Sequence, residues 1–595
     1  MTIDPVRLEV LKNALLAITE EQGAALQRSA YSTNIKTRMD FSCALFDEQL
    51  RLLAQAFTQP THLASLVLAV PRAIREFGVE NLEPGDGILT NDPHRGAVHL
   101  NDMILVSPIF SEGKIYAYAA NIAHHVDVGG TAPGSIAIAR EIYQEGIIVP
   151  PIRLVRGGEI DEGYFKFIQA NIRAVREVGG DFRAQVAANN LAARRTEQLI
   201  AKYGADELRR YGEALLDYTE RRTRAGFKQI PNGVYEAEGF MDTDALNPER
   251  TRLHAKVTVQ DGDVVVDLSG CSKQNKSSLN ATRTMMYSGI VYVLKCLIES
   301  DIPVNDGFHR TLNIVAPEGT VVNCKHPSGV VGGFEIAMRL TDVLFKAFAP
   351  ALPNRVTAAT KGCLMQIAFG AMNYRTNEYI SFYETIAGGE GARPAKDGND
   401  GVQCHVQNTE NSPIEETEMN YPLRIVRYGL IPDSEGAGRW RGGLGVRRDY
   451  IFPDGEARYT ILSDRGQEDP WGLFGGHHAR HAYYIVDPDG EQRQLRSRDL
   501  VTIEAGQVVS IQSPGGGGYG PPRERAPELV LRDVVGGKVS VEKAAREYGV
   551  VVVAADGGPL RATGGGGPEA SAAVGWEIDV AATAVRRREL AAGGA

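Results

Sequence analysis

Between Asp92 and Asp127 the chain places His94, His99, His124 and His125 among Asp92, Asp102 and Asp127. The stretch reads NDPHRGAVHLND, then two apolar runs, then NIAHHVDVGG. Imidazole nitrogen and carboxylate oxygen together suit Zn²⁺, Mn²⁺ or Fe²⁺. His99 and Asp102 lie three positions apart on one tight turn, and His124 follows His99 by 25 positions, at the end of a neighbouring strand. Three ligands gathered on one side of an ion leave positions open for water or substrate, as a catalytic site requires. The same residues also read as a loop of structural, hydrogen-bonded histidines, because no regular helical signature such as HExxH accompanies them. Asp40, in RMDFSCALFD, sits just before a strand; it either aims a carboxylate into the same site or caps a turn.

Other motifs carry less. The run GGGGYG at 515–520 formally matches GxGxxG, but Pro521 and Pro522 follow it, so no helix N-terminus receives a pyrophosphate there. GGEGARP (388–394) and RGGLGVRR (441–448) read either as anion-binding backbone or as tight turns of a β-rich region. No GxxxxGK[ST] phosphate loop and no GxSxG nucleophile elbow is present.

The elements that must position these residues follow from periodicity. Leu8, Leu11, Leu15 and Ile18 mark one face of a helix over about 5–29, with Pro5 at its start. A strand is expected at Phe41–Phe46, a helix over 60–77, and short strands separated by loops over 86–153. A long helix or helix pair is expected over 187–226, and HAKVTVQDGDVVVDLSG is a hairpin turning at Asp261-Gly262. Helices are expected over 280–300, 338–350 and 526–549, the last with Ser540 at a start and Gly549 at an end. The fold class is α+β and multi-domain, with a helical and strand-loop, metal-binding N-terminal half and a Gly-rich, β-rich C-terminal half. The expected divisions are an N-terminal metal-site domain (1–230), a central α+β domain (231–353), a Gly-rich β domain (354–525), a helical segment (526–555) and a flexible tail (556–595).

A chain of 595 residues, at roughly 150 per domain, is long enough for several such units. Its net charge of −10, without a Lys/Arg block, excludes the electrostatic footprint of a nucleic-acid binder. Six cysteines without a CxxC pair argue against a disulfide framework or a thiolate zinc site. The N-terminal stretch carries Asp4, Arg7, Glu9 and Lys12 and lacks a signal peptide's apolar core. No uncharged run approaches the roughly 20 residues needed to span a bilayer. A soluble, cytoplasmic protein is expected.

In order along the chain, NDPHRGAVHLND, AHHVDVGGTAPGS, EIYQEGIIVPPIRL, DIPVNDGFHRTLNIVAPEGTVVN, GGEGARPAKDGNDG, NTENSPIEETEMNYPLRIVRYGL, GAGRWRGGLGVRRDY, SDRGQEDPWGLFGG, SPGGGGYGPP and LRDVVGGKVSVEKAAREYGVVV cover about residues 4–553. Together they resemble the hydantoinase B/oxoprolinase family. The resemblance implies the B-type subunit of an ATP-dependent cyclic-amide hydrolase of the hydantoinase or 5-oxoprolinase type. It implies an A-type partner that carries ATP and Mg²⁺ on an actin-like fold, in a hetero-oligomer such as (αβ)₂. His99, Asp102 and His124 match the spacing at which the carboxylase relatives hold a metal, so a divalent transition metal (Zn, Mn or Fe) is implied here. By the same likeness Asp40 is an extra ligand or base. His125 and Asp127 would orient or deprotonate the attacking water, or support the ligands. His94 stands where members often carry Tyr, so the resemblance makes it either a substrate contact at the pocket rim or a surface variant. The alternatives are a subunit of an acetone- or acetophenone-type carboxylase and a non-catalytic scaffold for the A-type subunit.

Overall fold

The computed structural model describes residues 3–56, 59–555 and 575–592. Strands β1 (Phe41–Asp47), β2 (Leu52–Gln55), β3 (Gly87–Thr90), β4 (Asp102–Ser111), β5 (Lys114–His124), β6 (Ile152–Arg156) and β7 (Glu159–Ile160) form one sheet. Its order is β2-β1-β5-β4-β3-β6-β7, antiparallel throughout. β4 and β5 are apolar over most of their length and buried on both faces, because helices cover both sides of the sheet. On one side lie the helices Pro5–Ser29 and Val175–Tyr203. The first starts where the Asp4 side chain accepts from the Val6 N–H, and it buries Leu11, Ile18 and Leu26. On the other side lies the helix Pro60–Phe77, which buries Leu66, Ala69 and Val70.

The sheet of β8 (Gly233–Met241), β9 (Thr251–Gln260), β10 (Asp263–Asp267) and β11 (Leu312–Val315) follows, with the helices Arg283–Cys296 and Gly333–Phe348. The expected hairpin is present, with Asp261 and Gly262 both at positive φ between β9 and β10. The largest apolar core draws on both 1–230 and 231–353, joining Phe46, Ile104 and Ile122 to Met285, Val343 and Phe348.

In the C-terminal half, β12 (Gln366–Asn373), β13 (Glu378–Thr385), β16 (Ala457–Leu462) and β19 (Arg498–Ile503) make one sheet. A second is made by β14 (Arg424–Leu430), β15 (Val446–Ile451), β17 (Tyr483–Val486), β18 (Arg493–Gln494) and β20 (Val508–Gln512). They share a core around Phe369, Tyr450, Tyr459 and Ile511. The glycine-rich runs pack backbone against backbone: a Cβ on Gly443 would run into the Asn399 carbonyl, and one on Gly516 into that of Glu390. Their N–H groups are spent inside the protein, Gly389 on Pro514, Ala392 on Gly517 and Gly443 on Glu390. Here these runs are closely packed loop backbone with isolated bridges, and those amides are committed to carbonyls rather than offered to an anion.

The helices Pro527–Val535 and Val541–Glu547 follow, the second capped by Ser540, whose side chain accepts from the Lys543 N–H. The expected flexible tail differs from the structure. Residues 556–574 and 593–595 lie outside the described set, but β22 (Trp576–Ile578) pairs with β21 (Val552–Ala554), and Val580–Ala592 is helical. The reason is apolar: Trp576 and Ile578 pack on the small core of Val530, Tyr548 and Val552. Among the described residues no helix is long and apolar enough to cross a membrane.

Candidate metal centre

Strand register builds the site. Asp102 opens β4 and His124 closes β5, and the two are direct partners across the antiparallel ladder. β1 lies on the other side of β5, and the His124 N–H donates to the Asp40 carbonyl at 3.0 Å. Asp40, Asp102 and His124 thus share one end of three adjacent strands. Met39 stands in the left-handed region at φ 56°, a turn that non-glycine residues adopt rarely and that delivers Asp40 to the strand end. His99 lies on the turn before β4, where the Asp102 N–H donates back to the His99 carbonyl at 3.0 Å.

His99 Nε2, His124 Nδ1 and Asp102 Oδ1 form a triangle in which each pair is 3.2 Å apart. All three residues are buried. Bonds of about 2.1 Å to one ion place neighbouring ligand atoms about 3.0 Å apart in octahedral and about 3.4 Å apart in tetrahedral geometry. The observed triangle falls between the two, so these residues fit one face of a divalent ion's coordination shell. The protonation states agree. Burial lowers the pKa of His99, which favours the neutral, ligating ring. Burial alone would raise that of Asp102, but His99, His62 and His124 outweigh it and hold the carboxyl well below the usual range. Phe334 meets the His99 ring edge-on, and Tyr383 stacks on His124 with centroids 4.6 Å apart.

A small cavity of about 20 Å³ borders the triangle, room for a water-sized guest. From the N-terminal part of the chain Asp40, Gln59, Thr61, His62 and His124 line it; from later in the chain come Phe334, Leu364, Tyr383, Thr385, Gln407 and Thr409. Next to the lining residue Gln407, the fully buried Lys361 donates through Nζ to the Ile386 carbonyl and to Gln403 and Gln407.

Of the residues singled out in the sequence, the structure brings together His99, Asp102, His124 and, at the cavity wall, Asp40. It takes His125 and Asp127 elsewhere. Successive residues at the end of a strand face opposite ways, so His125 turns to the helix Val175–Tyr203. There its Nε2 meets Gln185 Oε1 at 3.0 Å and its ring packs on Phe182. Asp127 clamps the following loop: it pairs with Arg173 at 3.0 Å and accepts from the Gly129 and Gly134 N–H groups. His94 sits against His326 and contacts the Ser328 carbonyl at 3.1 Å.

The motif reading missed His62. Its Nε2 is 3.4 Å from Asp102 Oδ2 and 3.9 Å from Asp40 Oδ1. The available signal was a lone imidazole at the start of an otherwise apolar helical run, PTHLASLVLAV. It missed as well the buried amides that back the strands. Gln185 donates to the Met103 carbonyl and to Asn121, and Asn101 donates to the carbonyls of His125 and Gly134.

The hydantoinase B/oxoprolinase family model matches residues 4–522. An uncharacterised protein of Methanocaldococcus jannaschii is 39% identical over 93% of this chain and 97% of its own length. The B-type subunit of a putative D-/L-hydantoinase from a Pseudomonas species is 33% identical over 92% of this chain and 95% of its own. The crystal structure of the ATP-dependent caprolactamase from Pseudomonas jessenii superposes with a TM-score of 0.87 at 28% identity, covering 99% of this chain and 100% of that one. With a strand-end triangle of two histidines and an aspartate at its centre, and relatives matched along nearly its whole length, the chain belongs to the hydantoinase B/oxoprolinase family.

Proposed function

We propose that this chain is the B-type subunit of an ATP-dependent cyclic-amide hydrolase and that His99, Asp102 and His124 hold its divalent metal. The observation that carries the reading is the buried triangle of ligand atoms in a chain similar, over nearly its full length, to the B-type subunit of a putative hydantoinase. Held by His99, Asp102 and His124, a divalent ion would supply Lewis acidity and lower the pKa of a bound water toward neutrality.

The chain's own residues set the rest. Phe334, Leu364 and Tyr383 add apolar surface to the cavity lining, which strengthens charge interactions inside it. Asp40 offers a carboxylate in the cavity lining, held by Gln59 Nε2 at 3.3 Å, to accept a proton from the attacking water. An unactivated amide is a poor electrophile. In this reading an A-type partner transfers the γ-phosphoryl group of ATP to the amide oxygen and releases ADP. Water then adds to the imidate carbon, the ring C–N bond breaks as the nitrogen takes up a proton, and a second water hydrolyses the acyl phosphate left behind to the carboxylate and phosphate.

The test is a screen of the chain co-expressed with an A-type subunit. With ATP it is run against hydantoins, 5-oxoproline, lactams, and ketones plus bicarbonate. ATP-dependent ring opening is expected; bicarbonate-dependent consumption of a ketone would point to a carboxylase instead. Purified alone, the chain should hydrolyse no ATP, and robust ATPase activity would overturn the division of labour.

A further inference from the structure

We propose that His62 is a positioning residue of the metal centre, fixing the second oxygen of Asp102 and linking it to Asp40. This rests on reading His99, Asp102 and His124 as the ligands. Asp102 uses its two oxygens differently. Oδ1 closes the triangle with His99 and His124, while Oδ2 has His62 Nε2 at 3.4 Å. The same nitrogen is 3.9 Å from Asp40 Oδ1. A nitrogen facing two carboxylate oxygens is tolerable only as a donor, so Nε2 carries the hydrogen. The ring meets the site through these two carboxylates.

The location explains why a histidine is needed. His62 sits on the first turn of the helix Pro60–Phe77, its N–H bound to the Gln59 carbonyl and its own carbonyl accepting from Ser65 Oγ. The helix is anchored in the main core by Leu66, Ala69 and Val70, which holds the imidazole against the strand ends. At 3.4 Å the contact is within ion-pair range and longer than an ideal hydrogen bond. A ligating carboxylate whose free oxygen is held by a donor keeps its orientation, and loss of such a partner costs about 10- to 100-fold in metal affinity.

Co(II) titration of the metal-stripped full-length chain, followed by its visible bands, tests this. His62→Gln keeps an N–H near the position of Nε2; His62→Phe keeps the ring volume and removes the donor. The expected outcome is near-wild-type Co(II) affinity and band shape for His62→Gln, and for His62→Phe an affinity about 10- to 100-fold weaker with altered bands as Asp102 turns. Should His62→Phe fail to fold, His62→Met serves as the donor-less variant. Wild-type affinity without the donor, or a larger loss in His62→Gln than in His62→Phe, assigns His62 to packing and overturns the proposal. A wild-type chain that binds no Co(II) overturns the metal centre itself, a result distinct from either.

Discussion

His99 presents Nε2 and His124 presents Nδ1 to the same carboxylate oxygen, so two rings arriving from a turn and from a strand end converge on one point. Replacing His124 by Ala should take the purified chain from about one transition metal to a small residue by elemental analysis, because two ligands rarely retain an ion that three hold. Turnover with the A-type subunit should disappear with it. Full metal content in His124→Ala would remove the residue from the centre. The triangle was legible in the sequence because its members share one short stretch and a turn-plus-strand spacing. His62 was not, because it is distant in sequence and adjacent only after the helix Pro60–Phe77 docks on the sheet. His125 and Asp127 were drawn toward the site by sequence proximity, yet strand alternation and the Arg173 clamp turn them away.

At the scale of elements, periodicity located the first helix, the 60–77 helix and the β9–β10 hairpin, since each buries one face or turns on a diagnostic dipeptide. The glycine-rich half was harder to read. Its glycines serve close approach of backbones from segments far apart, a reason that no local pattern reveals. Gly443→Ala should destabilise by about 1–3 kcal/mol or more, as overpacking does. Gly429→Ala, on the exposed strand β14 with nothing near its side-chain position, should leave the melting temperature almost unchanged. Equal melting temperatures for the two variants would contradict the packing described.

Across the whole molecule, the N-terminal sheet region is tied to the central region by Glu145, whose Oε1 accepts from the Val330 and Val331 N–H groups. Burial pushes its carboxyl up to about 8 from an ordinary 4.5. Below that ordinary value the folded and unfolded chains both hold the proton. As pH rises toward 8 the unfolded chain releases it while the folded chain keeps it, so stability declines across that window. Glu335, raised by burial to about 8 as well, acts in the same direction. Glu145→Gln keeps the acceptor and removes the titration. Relative to wild type it should therefore gain in melting temperature at pH 8 and change little at pH values near 4.5. Parallel curves for the two proteins would show that this carboxyl does not titrate in the window.

The cavity wall also has a history in time. The residues of the triangle sit on a hairpin and a turn closed within 25 residues, whereas Phe334, Tyr383 and Thr409 come more than 200 residues later along the chain. At synthesis rates of about 5–20 residues per second, the wall leaves the ribosome on the order of tens of seconds after the ligands do. During that interval the ligand hairpin can form while the residues that enclose it are still being made. If the proposed metal centre is correct, an ion could then be met by these residues before the wall that encloses them exists.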